Sequence, residues 1–118
     1  MQNGARYPSL VDQGIFITGG ATGIGAALVR AFIKQNAQVT FVDLQQEAGA
    51  ALVAELDDRV TFHHLDITDT DALQQAVTDA NERTKLRVLI NNAADDMRHV
   101  PSDMTPSQWR DCLAINLD

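Results

Sequence analysis

A glycine-rich segment, Thr18–Gly25, carries the clearest chemistry in this sequence, because it follows a short apolar run and precedes a segment of helical period. Gly19, Gly23 and Gly25 let the backbone approach a ligand closely, and the amides of the following helix can bind an anion. A tight turn that packs a helix on a strand is the structural alternative. The strand before it and the helix after it favour a phosphate-binding turn.

Two familiar phosphate motifs do not fit this turn. The glycine spacing differs from the Gly-x-Gly-x-x-Gly fingerprint of dinucleotide-binding proteins. Gly20 and Gly25 have the spacing of a P-loop, but Ala26 and Ala27 occupy the positions of its Lys and Ser/Thr. Nothing there would hold the β- and γ-phosphates or magnesium, so the sequence excludes a P-loop.

Asp43 closes the second apolar run, 18 residues after Gly25. A carboxylate at this point can accept hydrogen bonds from a ribose 2′-hydroxyl, whereas a turn-forming aspartate is the structural alternative. It would also repel a 2′-phosphate, and neither Gly19–Gly25 nor Leu44–Glu47 contains Lys or Arg to offset it. The sequence therefore predicts that the cofactor is NAD rather than NADP.

Alternating strands and helices must position these residues. Apolar runs predict strands, and apolar residues at helical spacing predict helices between them. The predicted elements are a strand Gly14–Thr18, a helix ending near Asn36, a strand Gln38–Asp43, a helix Gln45–Leu56, a strand Val60–His64, a helix capped within Thr68–Asp71, a strand Arg87–Asn91 and a helix from Thr105. This order predicts an α/β fold, a Rossmann-type doubly wound parallel sheet.

Composition narrows the class of protein. The chain has 118 residues, 45% of them hydrophobic, and a formal net charge of −7. That balance argues against nucleic acid and anionic membrane surfaces as partners, and no apolar run reaches the roughly 20 residues of a membrane span. A single cysteine, Cys112, excludes an internal disulfide, and no Cys/His cluster indicates a metal site. We expect a cytoplasmic protein.

The motif Thr18-Gly19-x-x-x-Gly23-Ile24-Gly25 resembles the cofactor turn of the classical short-chain dehydrogenase/reductase family. Three later segments are similar to that family in order and spacing: Asp43, Asp66-Ile67 and Asn91-Asn92-Ala93-Ala94. The resemblance covers the chain from about Leu10 to its end and implies an NAD-dependent oxidoreductase. It also implies the strand order 3-2-1-4 for the first four strands, and a dimer or tetramer at full length.

The resemblance assigns roles to individual residues. The cofactor-binding residues that it implies are Gly19, Thr22, Gly23, Ile24, Gly25, Asp43, Leu44, Asp66, Ile67, Asn92 and Ala93. Asp66 and the amide of Ile67 would contact the adenine, although Asp66 taken alone favours a structural role, ending a strand and capping the following helix. Asn91-Asn92 would form a platform beneath the ribose, although turn formation alone also explains them. Ala94 departs from the family's glycine.

Asn116 falls where the family keeps a catalytic asparagine that holds a water in a proton relay. It also lies on the apolar stripe of Trp109 and Leu113, and a buried amide needs a hydrogen-bond partner. The end of a fraying helix is the alternative. A narrower similarity, in Tyr7–Leu10 and Asp95–His99, implies the NAD-dependent aldose dehydrogenases. Asp95, Arg98 and His99 would then bind sugar hydroxyls, with a solvated loop as the alternative.

The family's catalytic serine and Tyr-x-x-x-Lys pair are absent from this sequence, whose single tyrosine, Tyr7, precedes the first strand. We therefore expect one Rossmann domain, residues 1–118, that carries the cofactor half only and is inactive alone, either as the N-terminal part of a longer enzyme or as a truncated product. The strand order would leave Val88–Ile90 at an apolar edge that normally is covered. A non-catalytic dinucleotide-binding or sensor module is the alternative function, and the coding sequence beyond Asp118 would distinguish the two.

Overall fold

The computed structural model describes residues 10–92 of the chain. Strands and helices alternate through this part, in the order that the sequence predicts. The elements are β1 Gly14–Thr18, α1 Gly23–Lys34, β2 Gln38–Asp43, α2 Gln46–Glu55, β3 Val60–His64, α3 Thr70–Arg83 and β4 Leu86–Asn91. The helix predicted from Thr105 lies outside the described residues.

The first three strands have the predicted bounds, including β3, whose apolar residues are diluted by two histidines. β4 begins one residue earlier than predicted, at Leu86, whose side chain is buried. α2 is one residue shorter at each end than predicted. The capping prediction for α3 is confirmed, since the Asp69 carboxylate accepts a hydrogen bond from the Ala72 amide at 3.1 Å. Such a cap contributes about 1 kcal/mol to helix stability.

The four strands form one parallel sheet in the order β3-β2-β1-β4. This confirms the predicted fold class and the implied order. The register pairs Thr18 at the end of β1 with Val42 on one side and Asn91 on the other, so the carboxyl ends of three strands meet at one edge. The strand order reverses between β1 and β4, and in such sheets ligands bind at the carboxyl edge beside this point.

Helices cover both faces of the sheet because successive side chains on each strand point to opposite faces. On one face Ile15 and Ile17 of β1 pack with apolar residues of α1 and α2. On the other face Phe16 packs with apolar residues of α3. All three β1 side chains are fully buried, and burying a side chain of this size contributes about 1.5–3 kcal/mol. None of the described helices combines the length and apolar character that a membrane span requires.

The two outermost strands among the described residues, β4 and β3, differ in the polarity of their side chains. Val88, Leu89 and Ile90 of β4 are half-buried, and β4 is the last strand on its side among the described residues. β3 is the last strand on the other side and ends in two histidines. His63 is half-buried, its Nε2 is inaccessible and has no hydrogen-bond partner within residues 10–92, and His64 is exposed. His63 is therefore partly enclosed beside the core, whereas His64 lies at the surface.

Candidate functional site

The glycine turn runs from the end of β1 into α1 and is fixed to β2 by its backbone. The Gly19 amide donates to the Val42 carbonyl oxygen at 2.8 Å, which continues the β1–β2 pairing beyond Thr18. Gly19 has φ of 70° and Gly23 has φ of 59°, in the left-handed region that L side chains rarely adopt. The path of the chain therefore favours glycine at both positions, although Asp12 and Asn36 adopt the same conformation elsewhere in the chain.

Gly25 is required for a different reason, the close approach of α1 to the turn. A Cβ atom at Gly25 would lie 1.9 Å from the Gly19 carbonyl oxygen and 2.9 Å from Asn92 Nδ2. No substitution fits this space unless the backbone moves. The residue thus keeps the first turn of α1 against the end of β1, as close packing of helix and strand at a dinucleotide site demands.

The N-terminus of α1 is suited to an anion. Thr22 is its N-cap residue but makes no capping bond with its side chain, and the first turn contains no acidic residue. The first intrahelical bond joins the Ala26 amide to the Thr22 carbonyl at 3.2 Å, so the amides before it have no partner inside the helix. Unpaired amides and the positive end of the helix dipole fit a pyrophosphate.

Asp43 at the end of β2 faces this turn. Its Oδ2 accepts a hydrogen bond from the Ala21 amide at 3.0 Å, and its Oδ1 accepts one from the Gln45 amide at 3.0 Å. The carboxylate is half-buried, and each of its oxygens keeps capacity for another donor. Asp43 therefore joins the turn to the β2–α2 loop and can still bind a pair of hydroxyl groups.

The end of β4 is attached to the same turn by side chains. Thr18 Oγ1 donates to Asn91 Oδ1 at 2.9 Å, and Asn92 Nδ2 donates to the Gly19 carbonyl oxygen at 3.0 Å. The two asparagines that the sequence singles out thus hold β4 and the glycine turn together. Thr18, which the cofactor motif contains without a role of its own, is part of this connection.

Asp66 lies in the connection between β3 and α3. Its Oδ1 accepts hydrogen bonds from the Thr68 amide at 2.9 Å and from the Thr68 hydroxyl at 2.8 Å. The sequence suggested that Asp66 could both end the strand and cap the following helix. In the structure Asp66 forms the turn after β3, whereas Asp69 caps α3. The Ile67 side chain is buried against α3, so its backbone rather than its side chain is suited to contact a ligand.

Three further predicted residues lie exposed at the carboxyl edge. Ile24 in the first turn of α1 is 74% exposed and Leu44 after β2 is 55% exposed, unusual values for large apolar side chains. Thr22 is also exposed, and its Oγ1 accepts a hydrogen bond from Gln45 Nε2 at 3.4 Å. Residues Ala93, Asp95, Arg98, His99 and Asn116, which the sequence also nominates, lie outside the described residues.

Sequence reasoning missed Ala21 and Gln45 as partners of Asp43. Both use backbone amides, and a backbone donor has no signature in the residue type. The Gln45 side chain also gives no indication of its contact in the sequence, because an exposed glutamine at the start of a helix is common. Only the fold brings the turn and the β2–α2 loop together.

Basic side chains are distributed unevenly between the carboxyl edge of the sheet, where the strands end, and the amino edge, where the strands begin. The carboxyl edge carries Asp43, Asp66, Asp69 and Asp71. The described basic residues lie in the later part of α1, before β3, and from the end of α3 into β4: Arg30, Lys34, Arg59, Arg83, Lys85 and Arg87. Within residues 10–92, backbone amides rather than basic side chains are therefore left to stabilise an anion at the carboxyl edge.

Comparison with known proteins agrees with this geometry. Residues 13–118 match the short chain dehydrogenase family. The chain is 38% identical to a probable galactose dehydrogenase of Rhizobium meliloti and 35% identical to a D-xylose 1-dehydrogenase of Caulobacter vibrioides. Each alignment covers 96% of this chain and 46% of the relative, so the chain spans about half the length of these curated relatives.

A solved structure with a similar fold is the 3-ketoacyl-(acyl-carrier-protein) reductase from Brucella melitensis, complexed with NADH. It is 25% identical, with a TM-score of 0.63, and the match covers 68% of this chain and 33% of that one. The family match, the four parallel strands and the glycine turn agree, and the chain belongs to the short chain dehydrogenase family.

Proposed function

We propose that this member of the short chain dehydrogenases forms the cofactor half of an NAD-dependent oxidoreductase that transfers hydride between NAD and a sugar hydroxyl. The substrate class that we propose is an aldose. Two sugar dehydrogenases among the relatives and the NADH complex of a structural neighbour support this reaction and this type of cofactor. When bound, the nicotinamide ring supplies the hydride chemistry, and the protein supplies binding and orientation.

One observation carries the proposal: the Asp43 carboxylate lies at the end of β2 between the glycine turn and the β2–α2 loop. The bonds from the Ala21 and Gln45 amides fix its orientation and leave each oxygen able to accept from a ribose hydroxyl. A fixed carboxylate without a neighbouring Lys or Arg in the described loops favours a 2′-hydroxyl over a 2′-phosphate. NAD is therefore the cofactor that we propose.

The remaining binding roles follow from the carboxyl edge. The amides at the start of α1, from Thr22 through Gly25, hold the pyrophosphate, and exposed Ile24 and Leu44 provide apolar contact beside it. Asp66 and the Ile67 backbone contact the adenine, and Asn92 with Ala93 supports the nicotinamide ribose. The role of Asn92 is supported by its bond to Gly19, which fixes the turn from the β4 side.

We assign the substrate end of the site to residues after β4. Asp95, Arg98 and His99 follow the carboxyl end of that strand in the sequence, where ligands of doubly wound folds bind, and their side chains can hydrogen-bond sugar hydroxyls. Asn116 holds a water that passes protons to the catalytic group of the full-length enzyme. The two sugar dehydrogenases among the relatives support a sugar as the substrate that Asp95, Arg98 and His99 would bind.

The cofactor proposal is tested by titrating the full-length protein with NAD and NADP in a calorimeter. Asp43→Ala removes the hydroxyl acceptor and the negative charge, so we expect NAD binding to weaken about tenfold and discrimination against NADP to fall. Asp43→Asn keeps the shape and one acceptor, and so separates charge from folding effects. Asp58→Ala, an exposed aspartate between α2 and β3, is the control. Unchanged NAD affinity in both Asp43 variants would contradict the ribose role.

The substrate proposal requires a separate measurement. The full-length enzyme is incubated with NAD and a panel of aldoses, steroid alcohols and hydroxyacyl thioesters, and NADH formation is followed by absorbance. We expect turnover with at least one aldose and a higher kcat/KM for it than for the other classes. Turnover confined to non-sugar alcohols would contradict the aldose assignment, and NAD binding without any turnover would favour a sensor module.

A further inference from the structure

Two phenylalanine rings stack on the face of the sheet that α1 and α2 cover. Phe41 of β2 and Phe62 of β3 are register partners, and their ring centroids lie 4.9 Å apart at an interplanar angle of 24°. Both pack with the apolar residues of that face, where Phe41 is fully buried and Phe62 is half-buried. The proposed function leaves this aromatic pair, Phe41 and Phe62, without a task.

Each ring of the aromatic pair lies against a glycine. A Cβ at Gly20 in the glycine turn would lie 2.6 Å from Phe41 Cβ and 2.8 Å from Phe41 Cγ. A Cβ at Gly49 in α2 would overlap the ring of Phe62. In a close-packed interior no larger residue fits at either glycine unless the ring or the backbone moves. The aromatic pair therefore sets how closely the glycine turn and α2 approach the sheet.

Both glycines adjoin a donor to the Asp43 carboxylate. Gly20 precedes Ala21, whose amide donates to Asp43 Oδ2 at 3.0 Å. The Gly49 amide donates to the Gln45 carbonyl at 3.0 Å, and the Gln45 amide donates to Asp43 Oδ1 at 3.0 Å. The two amides that orient the carboxylate thus belong to the two backbone segments that pack on the aromatic pair.

We propose that Phe62 is a positioning residue of the cofactor site. Its ring supports the first turn of α2 at Gly49, and its stacking on Phe41 supports the glycine turn at Gly20. These contacts fix the spacing of the two amides that orient Asp43, and Phe62 acts on ribose binding through that carboxylate. This inference rests on the proposed function, because it requires that Asp43 bind the adenosine ribose.

Phe62 can be altered with less damage to the fold than Phe41. It is half-buried on β3, the outermost described strand on its side of the sheet, whereas Phe41 is fully buried. The outer ring atoms of Phe62, Cζ and both Cε, are the ones nearest to Gly49. Phe62→Leu removes these atoms and keeps an apolar side chain in the strand, so we expect a folded protein in which the first turn of α2 shifts toward the sheet.

The test compares the affinity of the full-length protein for NAD with its affinity for an NAD analogue that lacks the adenosine 2′-hydroxyl. Calorimetry measures both affinities at a temperature where thermal melts show every variant to be folded. The wild-type protein should prefer NAD about tenfold, because the hydroxyl donates to a charged acceptor. Phe62→Leu should reduce this preference to about threefold or less, since hydrogen bonds weaken when the acceptor is misaligned.

Gly49→Ala changes the same contact from the α2 side, because it places a methyl group where the Phe62 ring lies. It should also reduce the preference for NAD over the analogue. An unchanged preference in both Phe62→Leu and Gly49→Ala overturns the proposal.

Phe16→Leu is the matched control. Phe16 is fully buried on the opposite face of the sheet, among apolar residues of α3, so leucine there should lower the thermal midpoint at least as much as Phe62→Leu does. The preference for NAD over the analogue should stay at its wild-type value. A loss of preference in Phe16→Leu equal to that in Phe62→Leu overturns the proposal, because general destabilisation would then explain both.

The wild-type measurement separates this inference from the proposed function. A tenfold wild-type preference that Phe62→Leu and Gly49→Ala retain keeps the ribose role of Asp43 and overturns the role of Phe62 alone. The same affinity of the wild-type protein for NAD and for the analogue overturns the ribose role, and the inference about Phe62 falls with it.

Discussion

The two edges of the parallel sheet are connected by different kinds of contact. At the carboxyl edge, side chains bind the backbone of a neighbouring loop. Asp43 accepts from the glycine turn at Ala21, and Asn92 donates to the same turn at Gly19. Each of these contacts requires a particular residue type, so the sequence at this edge cannot change freely.

At the amino edge, the described loops are joined mainly by backbone atoms. The Asp12 amide donates to the Asn36 carbonyl at 2.8 Å, and the Val39 amide donates to the Arg59 carbonyl at 2.9 Å. Backbone bonds depend less on residue type than side-chain bonds do, although the positive φ of Asp12 (61°) and Asn36 (66°) favours Asn, Asp or Gly at these two positions. We expect the amino edge to serve stability and the carboxyl edge to combine stability with the proposed cofactor site, so substitutions at the two edges should have different consequences.

The largest contrast is expected between two glycines, Gly25 at the carboxyl edge and Gly14 at the amino edge. A Cβ at Gly25 would lie 1.9 Å from the Gly19 carbonyl oxygen, and one at Gly14 would lie 2.6 Å from the Lys85 carbonyl oxygen. Gly25→Ala forces the glycine turn and α1 apart, and each hydrogen bond lost to a charged phosphate costs about 1.5–3 kcal/mol of binding free energy, roughly a 10- to 100-fold loss of affinity. We expect NAD binding, measured by calorimetry, to weaken at least that much.

Gly14→Ala is the matched substitution for this comparison. Its Cβ also meets backbone, so we expect a lower thermal midpoint, with overpacking costs of about 1–3 kcal/mol. NAD affinity of the folded variant, measured well below its midpoint, should stay close to that of the wild type. Equal losses of NAD affinity in both glycine variants would contradict the division between the edges.

A smaller contrast is expected between two half-buried asparagines that each bind a backbone group. Asn92 Nδ2 donates to the Gly19 carbonyl, and Asn81 Oδ1 accepts from the Leu86 amide at 2.9 Å. Replacing either with alanine leaves a backbone group without its partner and should lower the free energy of unfolding by about 1–3 kcal/mol. Denaturant titration measures this loss.

Only Asn92→Ala should also weaken NAD binding, because Gly19, to which Asn92 donates, belongs to the turn that we propose as the cofactor site. We expect a loss of about tenfold by calorimetry, and no loss for Asn81→Ala at a temperature where both variants are folded. If Asn81→Ala weakened NAD binding as much as Asn92→Ala, the asparagine bond at the carboxyl edge would have no special role in the site.

The sequence predicted the fold better than the contacts of the site. β1 and β2 were predicted with their bounds because buried parallel strands are largely apolar runs. β3 was predicted with its bounds too, although its two histidines dilute the apolar pattern. β4 begins at Leu86, one residue before the prediction, because charged Arg87 interrupts its apolar run and its pairing with β1 shifts between Gly14 and Ile15. A register shift of this kind depends on the neighbouring strand and leaves no periodic signal.

In the candidate site, the residue types predicted where the functional side chains lie but not which groups they hydrogen-bond. Asp43 was identified from its place after a strand, and the structure puts it beside the glycine turn. Its donors are backbone amides 22 and 2 residues away, and every residue other than proline has such a donor. The double role suggested for Asp66 could be resolved only when the structure placed Asp69 at the cap.

The smallest effect on stability is expected from His63. Its side chain lies on the face of β3 toward α3 and takes part in none of the contacts described above at the carboxyl or amino edge. Burial lowers the pKa of His63 below 6.5, the positive charge of Arg83 lowers it further, and Asp79 opposes both. The unfolded chain then binds a proton more readily than the folded chain near pH 6.5. The free energy of unfolding should therefore be fully maintained above that pH and decrease as the pH falls toward the lowered pKa.

Denaturant titrations between pH 7.5 and about 5 measure this decrease, and His63→Phe should reduce it by removing the titrating group. His64→Asn is the matched control, because His64 is the adjacent and exposed histidine and its removal should leave the pH dependence in place. The ratio of NAD to NADP affinity should be the same in His63→Phe as in the wild type. A changed ratio would mean that the α3 face of β3 influences cofactor binding at the carboxyl edge. The separation between residues that serve stability and residues that serve binding would then be wrong for this face.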